Sequence, residues 1–73
     1  MVNYYLNLHA QQNGDHEIHK ETCPYYYNFK TGYNFAFLGA FSSDYDAMNC
    51  AKRRYPLLRI DGCVYCCAAI HKH

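Results

Sequence analysis

The sequence predicts a single α+β domain over residues 1–73, with one helix packed on a face of a three- to four-stranded, mainly antiparallel sheet. Three observations support this class. A chain of 73 residues has the length of one domain. Residues 2–10 alternate polar and apolar side chains with the period of a strand. Residues 44–55 carry apolar side chains at helical spacing, and the predicted order of elements is β-β-β-α-β.

The first two strands are predicted to form a hairpin. The alternating residues 2–10 lead into Asn13-Gly14, which suits a type I′ turn because both central residues of that turn need positive φ. The second strand then covers residues 15–21. Cys23-Pro24 ends this strand, since proline cannot donate to a strand ladder.

A two-residue turn also predicts the register of the hairpin. It places Leu8 opposite His19, and opposed residues share a face of the sheet. His19 and Glu17 would therefore point to the same side as Leu6 and Leu8, where buried polar groups need partners. A longer loop would instead turn Ile18 toward the core.

Two further strands flank the helix in the chain. An aromatic connection over residues 25–32 leads to a third strand over residues 33–41. This strand is apolar on both faces, which predicts a central place in the sheet. After the helix, residues 58–60 alternate as a short final strand, and Asp61-Gly62 is predicted to turn the chain into a cysteine-rich segment.

The helix is predicted from its ends as well as from its period. Ser42 or Ser43 can cap its N-terminus, because a serine hydroxyl accepts a hydrogen bond from an N–H of the first turn. Pro56 ends it, since the residue before proline disfavours helical backbone. The predicted buried stripe consists of Ala47, Cys50, Ala51 and Tyr55.

The cysteine content suggests that a cross-link, called a staple below, stabilises the domain. A chain this short buries only about 60% of the surface that its unfolded form exposes. Domains of this size often add disulfides, a metal or a partner subunit. Five cysteines are present, an odd number, so at most two disulfides can form within one chain. Cys50 lies on the helix stripe and is assigned to the core.

The remaining cysteines and nearby histidines predict a metal site, with zinc as the metal. Cys63-x2-Cys66 brings two sulfurs to one point, and zinc prefers four thiolate and imidazole ligands in a tetrahedron. Cys23, His19 or His71 would supply the rest of the ligands. Cys67 and His16 are alternates.

Two other interpretations of the same residues stay open. The Cys63-x2-Cys66 pair could cycle between dithiol and disulfide as a redox protein, although no helix follows it as in thioredoxin-like folds. Alternatively, buried thiols or a disulfide such as Cys23 to Cys63 would tie the C-terminal segment to the hairpin of an interaction module. Glu17 lies near two histidines, but no H-E-x-x-H helix is present, so an enzyme is not expected.

Charge and hydropathy narrow the choice of partners. A formal net charge of +1 gives no electrostatic case for a nucleic-acid or membrane-surface partner. A protein partner is compatible with the composition, and we expect a monomer or weak homodimer. Residues 2–10 lack the basic and apolar regions of a signal peptide. We therefore expect a cytoplasmic protein, unless a leader was removed.

Three motifs resemble small uncharacterised bacterial proteins of the structural-genomics type. The resemblance rests on residues 13–19 (Asn-Gly-Asp-His-Glu-Ile-His), residues 38–41 (Leu-Gly-Ala-Phe) and residues 61–67 (Asp-Gly-Cys-Val-Tyr-Cys-Cys). It implies an α+β fold and carries no known activity.

Overall fold

A computed structural model describes residues 1–24 and 34–72. Within these residues the chain has the predicted α+β class and the predicted order of elements. The strands are β1 (Val2–Asn7), β2 (His16–Lys20), β3 (Phe35–Phe41) and β4 (Ile60–Gly62), the helix is α1 (Asp44–Arg54), and a 3-10 turn (Ala68–Ile70) follows. The aromatic connection predicted over residues 25–32 lies outside the described residues, as does the predicted start of the third strand.

The four strands form a mixed sheet in the order β3-β1-β2-β4. β1 pairs antiparallel with both β2 and β3, whereas β2 and β4 are parallel. The sequence had predicted a mainly antiparallel sheet. The observed sheet is mixed, so this part of the prediction is wrong. The cause is α1, which carries the chain from one edge of the sheet to the other. Parallel strands require such a crossover connection.

β3 lies at an edge of the sheet, so the predicted central position is wrong. Its apolar residues divide between the two faces at this edge. Leu38 is buried on the helix side, while Phe37 is 52% exposed and packs on the ring of Tyr5 with centroids 5.3 Å apart. A β-bulge opposite Tyr4 and Tyr5 makes Leu38 the extra residue, and Gly39 supplies the positive φ of +132° that follows it.

The hairpin register differs from the predicted one. Tyr5 pairs with His19 and Leu6 pairs with Ile18, so Leu8 does not oppose His19. The displacement is three residues, and an odd displacement reverses the faces of a strand. Ile18 consequently packs beneath α1 with Leu6, whereas Glu17 and His19 point to the opposite side of the sheet with Tyr5.

Asparagine side chains explain the longer connection between β1 and β2. Asn7 Oδ1 accepts a hydrogen bond from the N–H of His9 at 2.9 Å and ends β1. Asn13 Oδ1 accepts in the same way from the N–H of Asp15. Such bonds to the backbone two residues on compete with a strand ladder. Gly14 has a φ of +90°, but Asn13 does not have the positive φ that a type I′ turn requires.

α1 begins and ends where its sequence predicts. The hydroxyl of Ser43 accepts a hydrogen bond from the N–H of Tyr45 at 3.1 Å, and Tyr55 is the C-cap before Pro56. Ala47 and Ala51 are buried as predicted, and Met48 is buried with them. Cys50 and Tyr55 are half-buried at the margin of the core.

Two apolar clusters lie on opposite sides of the sheet. The larger one, under α1, contains Tyr4, Leu6, Ile18, Leu38, Ala47, Met48, Ala51, Cys67 and Ile70. The smaller one contains Tyr5, Cys23 and Cys63, with Phe35 and Cys66 packed against it. In the described parts of the chain, no helix is long and apolar enough to cross a membrane.

β4 begins two residues later than predicted. It spans Ile60–Gly62, so Asp61 and Gly62 belong to a strand and not to a turn. The N–H of Cys63 donates to the carbonyl of Ile18 at 3.0 Å, which continues the parallel pairing by one residue. The cysteine segment, residues 63–72, is thereby held against β2 at its first residue.

Candidate metal centre

Four side chains that could ligate a metal converge on the side of the sheet opposite α1. They are His19, Cys23, Cys63 and Cys66, and their ligand atoms all lie within 4.8 Å of one another. Cys66 is half-buried, and the other three are 2% exposed or less. Four nitrogen and sulfur donors this close together have the composition of a closed, tetrahedral zinc site.

Two backbone segments hold these side chains. His19 belongs to β2, and Cys23 follows in a turn that is closed by its N–H donating to the carbonyl of Lys20 at 2.9 Å. Cys63 follows β4 directly, and a turn closed by the N–H of Cys67 donating to the carbonyl of Cys63 at 2.8 Å brings Cys66 back to β2. Because β4 lies beside β2, both pairs of ligands meet at the same end of the sheet.

The spacing of the donor atoms is short enough for one metal ion to contact all four. Cys23 Sγ and Cys63 Sγ are 3.9 Å apart, and Cys66 Sγ lies 4.0 Å from His19 Nδ1. Zinc–sulfur bonds of about 2.3 Å at the tetrahedral angle place two sulfurs about 3.8 Å apart. The ring nitrogen of His19 in the contact with Cys66 is Nδ1.

Backbone N–H groups also point at the sulfur atoms. The N–H of Lys20 donates to Cys66 Sγ at 3.3 Å. The N–H groups of Cys66 and Tyr65 donate to the sulfur of Cys63 and act to lower its pKa. Hydrogen bonds to a charged group favour the charged form. These contacts therefore favour the thiolate, which is the form of cysteine that binds metals.

The protein alone favours neutral ligands. Burial raises the pKa of Cys63 to about 12. The hydrogen bond with Cys67, together with burial, raises the pKa of Cys66. Burial lowers the pKa of His19 to about 4, so its imidazole is neutral at pH 7 and in the form that binds a metal. A divalent cation would displace the thiol protons, since a coordinating thiol is deprotonated.

The other residues named from the sequence lie elsewhere. His71 Nδ1 is 2.9 Å from the carbonyl oxygen of Gly62 and 3.3 Å from Asp61 Oδ2. His16 Nδ1 is 3.0 Å from the carbonyl oxygen of Asn7. Cys67 is buried in the cluster under α1, although its sulfur is 3.7 Å from that of Cys66. None of these three belongs to the group of four.

Sequence reasoning missed two contacts of this site. Glu17 Oε1 lies 3.5 Å from His19 Nε2, whereas the contact with Cys66 is made by Nδ1. The sequence analysis had placed Glu17 and His19 on one face of their strand, because residues two apart share a face, but it did not predict that their side chains meet. The contact from the backbone of Lys20 to Cys66 had no signal in the sequence.

The described residues thus define a class: a small α+β protein whose mixed sheet carries a histidine–cysteine cluster that could hold a metal ion. Comparison with known proteins finds no matching family model, no similar curated protein and no similar solved structure. The resemblance to small bacterial proteins stays a prediction. The functional argument therefore rests on the cluster.

Proposed function

We propose that this protein is a small zinc-binding module in which His19, Cys23, Cys63 and Cys66 bind one ion. The observation that carries the proposal is the convergence of the four ligand atoms within 4.8 Å of one another. Thiolate and imidazole are the ligands that zinc prefers. Four protein ligands leave no open coordination position, which is typical of structural zinc and not of catalytic zinc.

The ion would act as the staple of a marginal domain. It would join the end of β2 to a segment more than forty residues further along the chain. Residues 63–72 contain only a three-residue 3-10 turn among their described residues, so few regular hydrogen bonds hold them. Zinc binding to a site that exists only in the folded chain adds directly to the folding free energy.

The stapled loop would also present a surface. Val64 and Tyr65 lie between two of the ligands and are 47% and 64% exposed. Zinc bound to Cys63 and Cys66 would hold this apolar pair in one conformation. Apolar and aromatic side chains that are already ordered suit contact with a protein partner, because less entropy is lost on binding.

Metal content and its dependence on the four residues test the proposal. Native mass spectrometry of the reduced protein is expected to show one zinc ion per chain. Cobalt(II) replacing zinc should give the visible absorption of a tetrahedral thiolate site. Cys63→Ser and His19→Gln should weaken binding, whereas the matched controls Cys50→Ser and His71→Gln should not. Equal binding by all four variants, or no stoichiometric metal, would disprove the proposal.

A thiol–disulfide function is the second candidate. One observation favours it: Cys23 Sγ lies 3.9 Å from Cys63 Sγ, so these two sulfurs are close enough to form a bond after a small rotation. The raised pKa of Cys63 opposes this function, because the thiolate is the attacking species. A reversible disulfide with a potential near that of the cytosolic thiol pool would favour this candidate over zinc.

A further inference from the structure

The carboxylate of Glu17 lies against the outer nitrogen of the His19 ring. Glu17 Oε1 is 3.5 Å from His19 Nε2, while His19 Nδ1 is 4.0 Å from Cys66 Sγ. The Nδ1 edge of the imidazole thus lies near the sulfur of Cys66, and the Nε2 edge lies near a carboxylate. The arrangement follows from β2 itself, because residues two apart in a strand point to the same side.

This carboxylate has a costly position. Glu17 is 8% exposed. Asp61 is its partner in the register of the adjoining strand, so a second buried carboxylate lies nearby. Burial raises the pKa of Glu17, and the charge of Asp61 acts in the same direction, while a hydrogen bond from Gln11 opposes it. An apolar side chain of similar size would suit this buried position better if stability alone decided.

We propose that Glu17 is the positioning residue of the zinc site, which deepens the function proposed above and rests on it. In the zinc-loaded protein Glu17 accepts a hydrogen bond from Nε2–H of His19. This bond selects the tautomer in which Nδ1 is the free donor to the metal, and it fixes the plane of the ring. Carboxylates that hold a ligating histidine in this way are common partners of zinc sites. An approach of about half an ångström would bring the contact to hydrogen-bond length.

Two substitutions of Glu17 and one matched control test this role. Glu17→Met keeps the length of the side chain and removes its acceptor, and Glu17→Gln keeps an acceptor but removes the charge. Asp61→Asn is the control, because Asp61 is 3% exposed and lies on the adjoining strand, and its carboxylate accepts from the N–H of Lys72 at 2.7 Å. Zinc affinity is measured by competition with a chromophoric chelator.

Glu17→Met is expected to lower zinc affinity about 10- to 100-fold, the usual effect of removing such a partner. Glu17→Gln should cause a smaller loss. Asp61→Asn should leave zinc affinity close to that of the wild type. The metal-free Glu17→Met protein should be at least as stable as the wild type to urea, a result opposite to that expected if Glu17 served only the fold.

A spectroscopic measurement separates positioning from general destabilisation. In the zinc-loaded wild type and Glu17→Gln proteins, long-range ¹H–¹⁵N correlation should show Nδ1 of His19 bound to metal and Nε2 carrying a slowly exchanging proton. In Glu17→Met that proton should exchange rapidly.

Three results would overturn the assignment. The first is a Glu17→Met protein with wild-type affinity and a protected Nε2 proton. The second is coordination through Nε2 in the wild type. The third is an equal loss of affinity in Glu17→Met and Asp61→Asn. If the wild type binds no zinc, both the proposed function and this inference are wrong. If zinc affinity does not depend on Glu17, only this inference is wrong.

Discussion

At the scale of single residues, burial determines the protonation state of His19. Its side chain is inaccessible to solvent, and burial lowers the pKa of its imidazole to about 4. The neutral ring retains a lone pair at pH 7, which is what a metal ligand needs. Its place beside three sulfurs results from the register of β2, because the observed pairing turns it away from α1.

This burial predicts a pH dependence of the metal-free chain. In the unfolded state His19 has an ordinary pKa near 6.5, so between pH 6.5 and about 4 the unfolded state binds the proton and the folded state does not. The folded chain should therefore keep its stability above pH 6.5 and lose it as pH falls toward 4. The loss attributable to His19 should reach up to about 3 kcal/mol, at 1.36 kcal/mol per pKa unit.

Urea unfolding with a chelator present, repeated across this pH range, measures the effect. His19→Gln is the control because glutamine does not titrate, and the difference between the two proteins gives the contribution of His19. Parallel curves for the wild type and His19→Gln would show that His19 is protonated in the folded state at acid pH.

At the scale of elements, the parallel contact of β2 with β4 assembles the site. The N–H of Cys63 binds the carbonyl of Ile18, and the N–H of Lys20 binds the sulfur of Cys66. The second contact satisfies an N–H of β2 beyond the end of the short β4, where a strand edge is otherwise open. The side chain of Lys20 extends to Asp44 at 3.4 Å, so the same residue connects the site to the start of α1.

Gly62 is predicted to be the position of β4 least tolerant of a side chain. A Cβ atom there would lie 2.7 Å from the carbonyl oxygen of Cys67 and would overlap the side chain of Ile70. Backbone cannot move aside as a side-chain tip can, so Gly62→Ala should push the cysteine segment away from the sheet. We expect a loss of about 3 kcal/mol in the free energy of unfolding, at the upper end for overpacking, together with weaker zinc binding.

Gly14→Ala provides the matched control. The nearest atom to a Cβ at Gly14 is 3.6 Å away, on the side chain of Arg59, so the cost there comes from the positive φ alone. That cost should be about 1 kcal/mol, with zinc affinity unchanged. Chemical denaturation and zinc titration of both variants measure the two effects. Equal losses of stability and of zinc affinity in Gly62→Ala and Gly14→Ala would show that close approach at Gly62 is not the cause.

At the scale of the whole molecule, the sheet has different chemistry on its two sides. α1 covers the larger apolar cluster, and the ligand cluster lies on the opposite side. The cysteine segment contributes to both, since Cys63 packs in the smaller cluster while Cys67 and Ile70 pack under α1. A staple at this segment would therefore act on both sides of the fold.

Metal removal should destabilise the entire domain. A ligand that binds only the folded state stabilises it by about 4 kcal/mol at a concentration 1,000 times its Kd. A chelator should lower the Tm of the reduced, zinc-loaded protein, and added zinc should restore it. If reductant lowers the Tm and the chelator leaves it unchanged, a disulfide and not a metal cross-links the domain.

The elements of this protein were largely predictable because their signals are local. Alternation in residues 2–10 predicts β1, which ends three residues earlier at Asn7, and the hydroxyl of Ser43 and the ring of Pro56 bound α1. Periodicity and capping depend on neighbours within one or two turns of the chain. The four residues that converge in the structure are among the seven candidate ligands that the sequence named.

Only the tertiary structure decided the register, the sheet order and which four of those seven side chains converge. The register depends on Asn7 and Asn13, whose side chains bind the backbone in place of a tight turn. The choice depends on β4 pairing with β2, which brings Cys63 and Cys66 to His19, while Asp61 binds His71 elsewhere. Each of these outcomes is a competition among contacts between residues far apart in the chain, and local pattern carries no information about which contact wins.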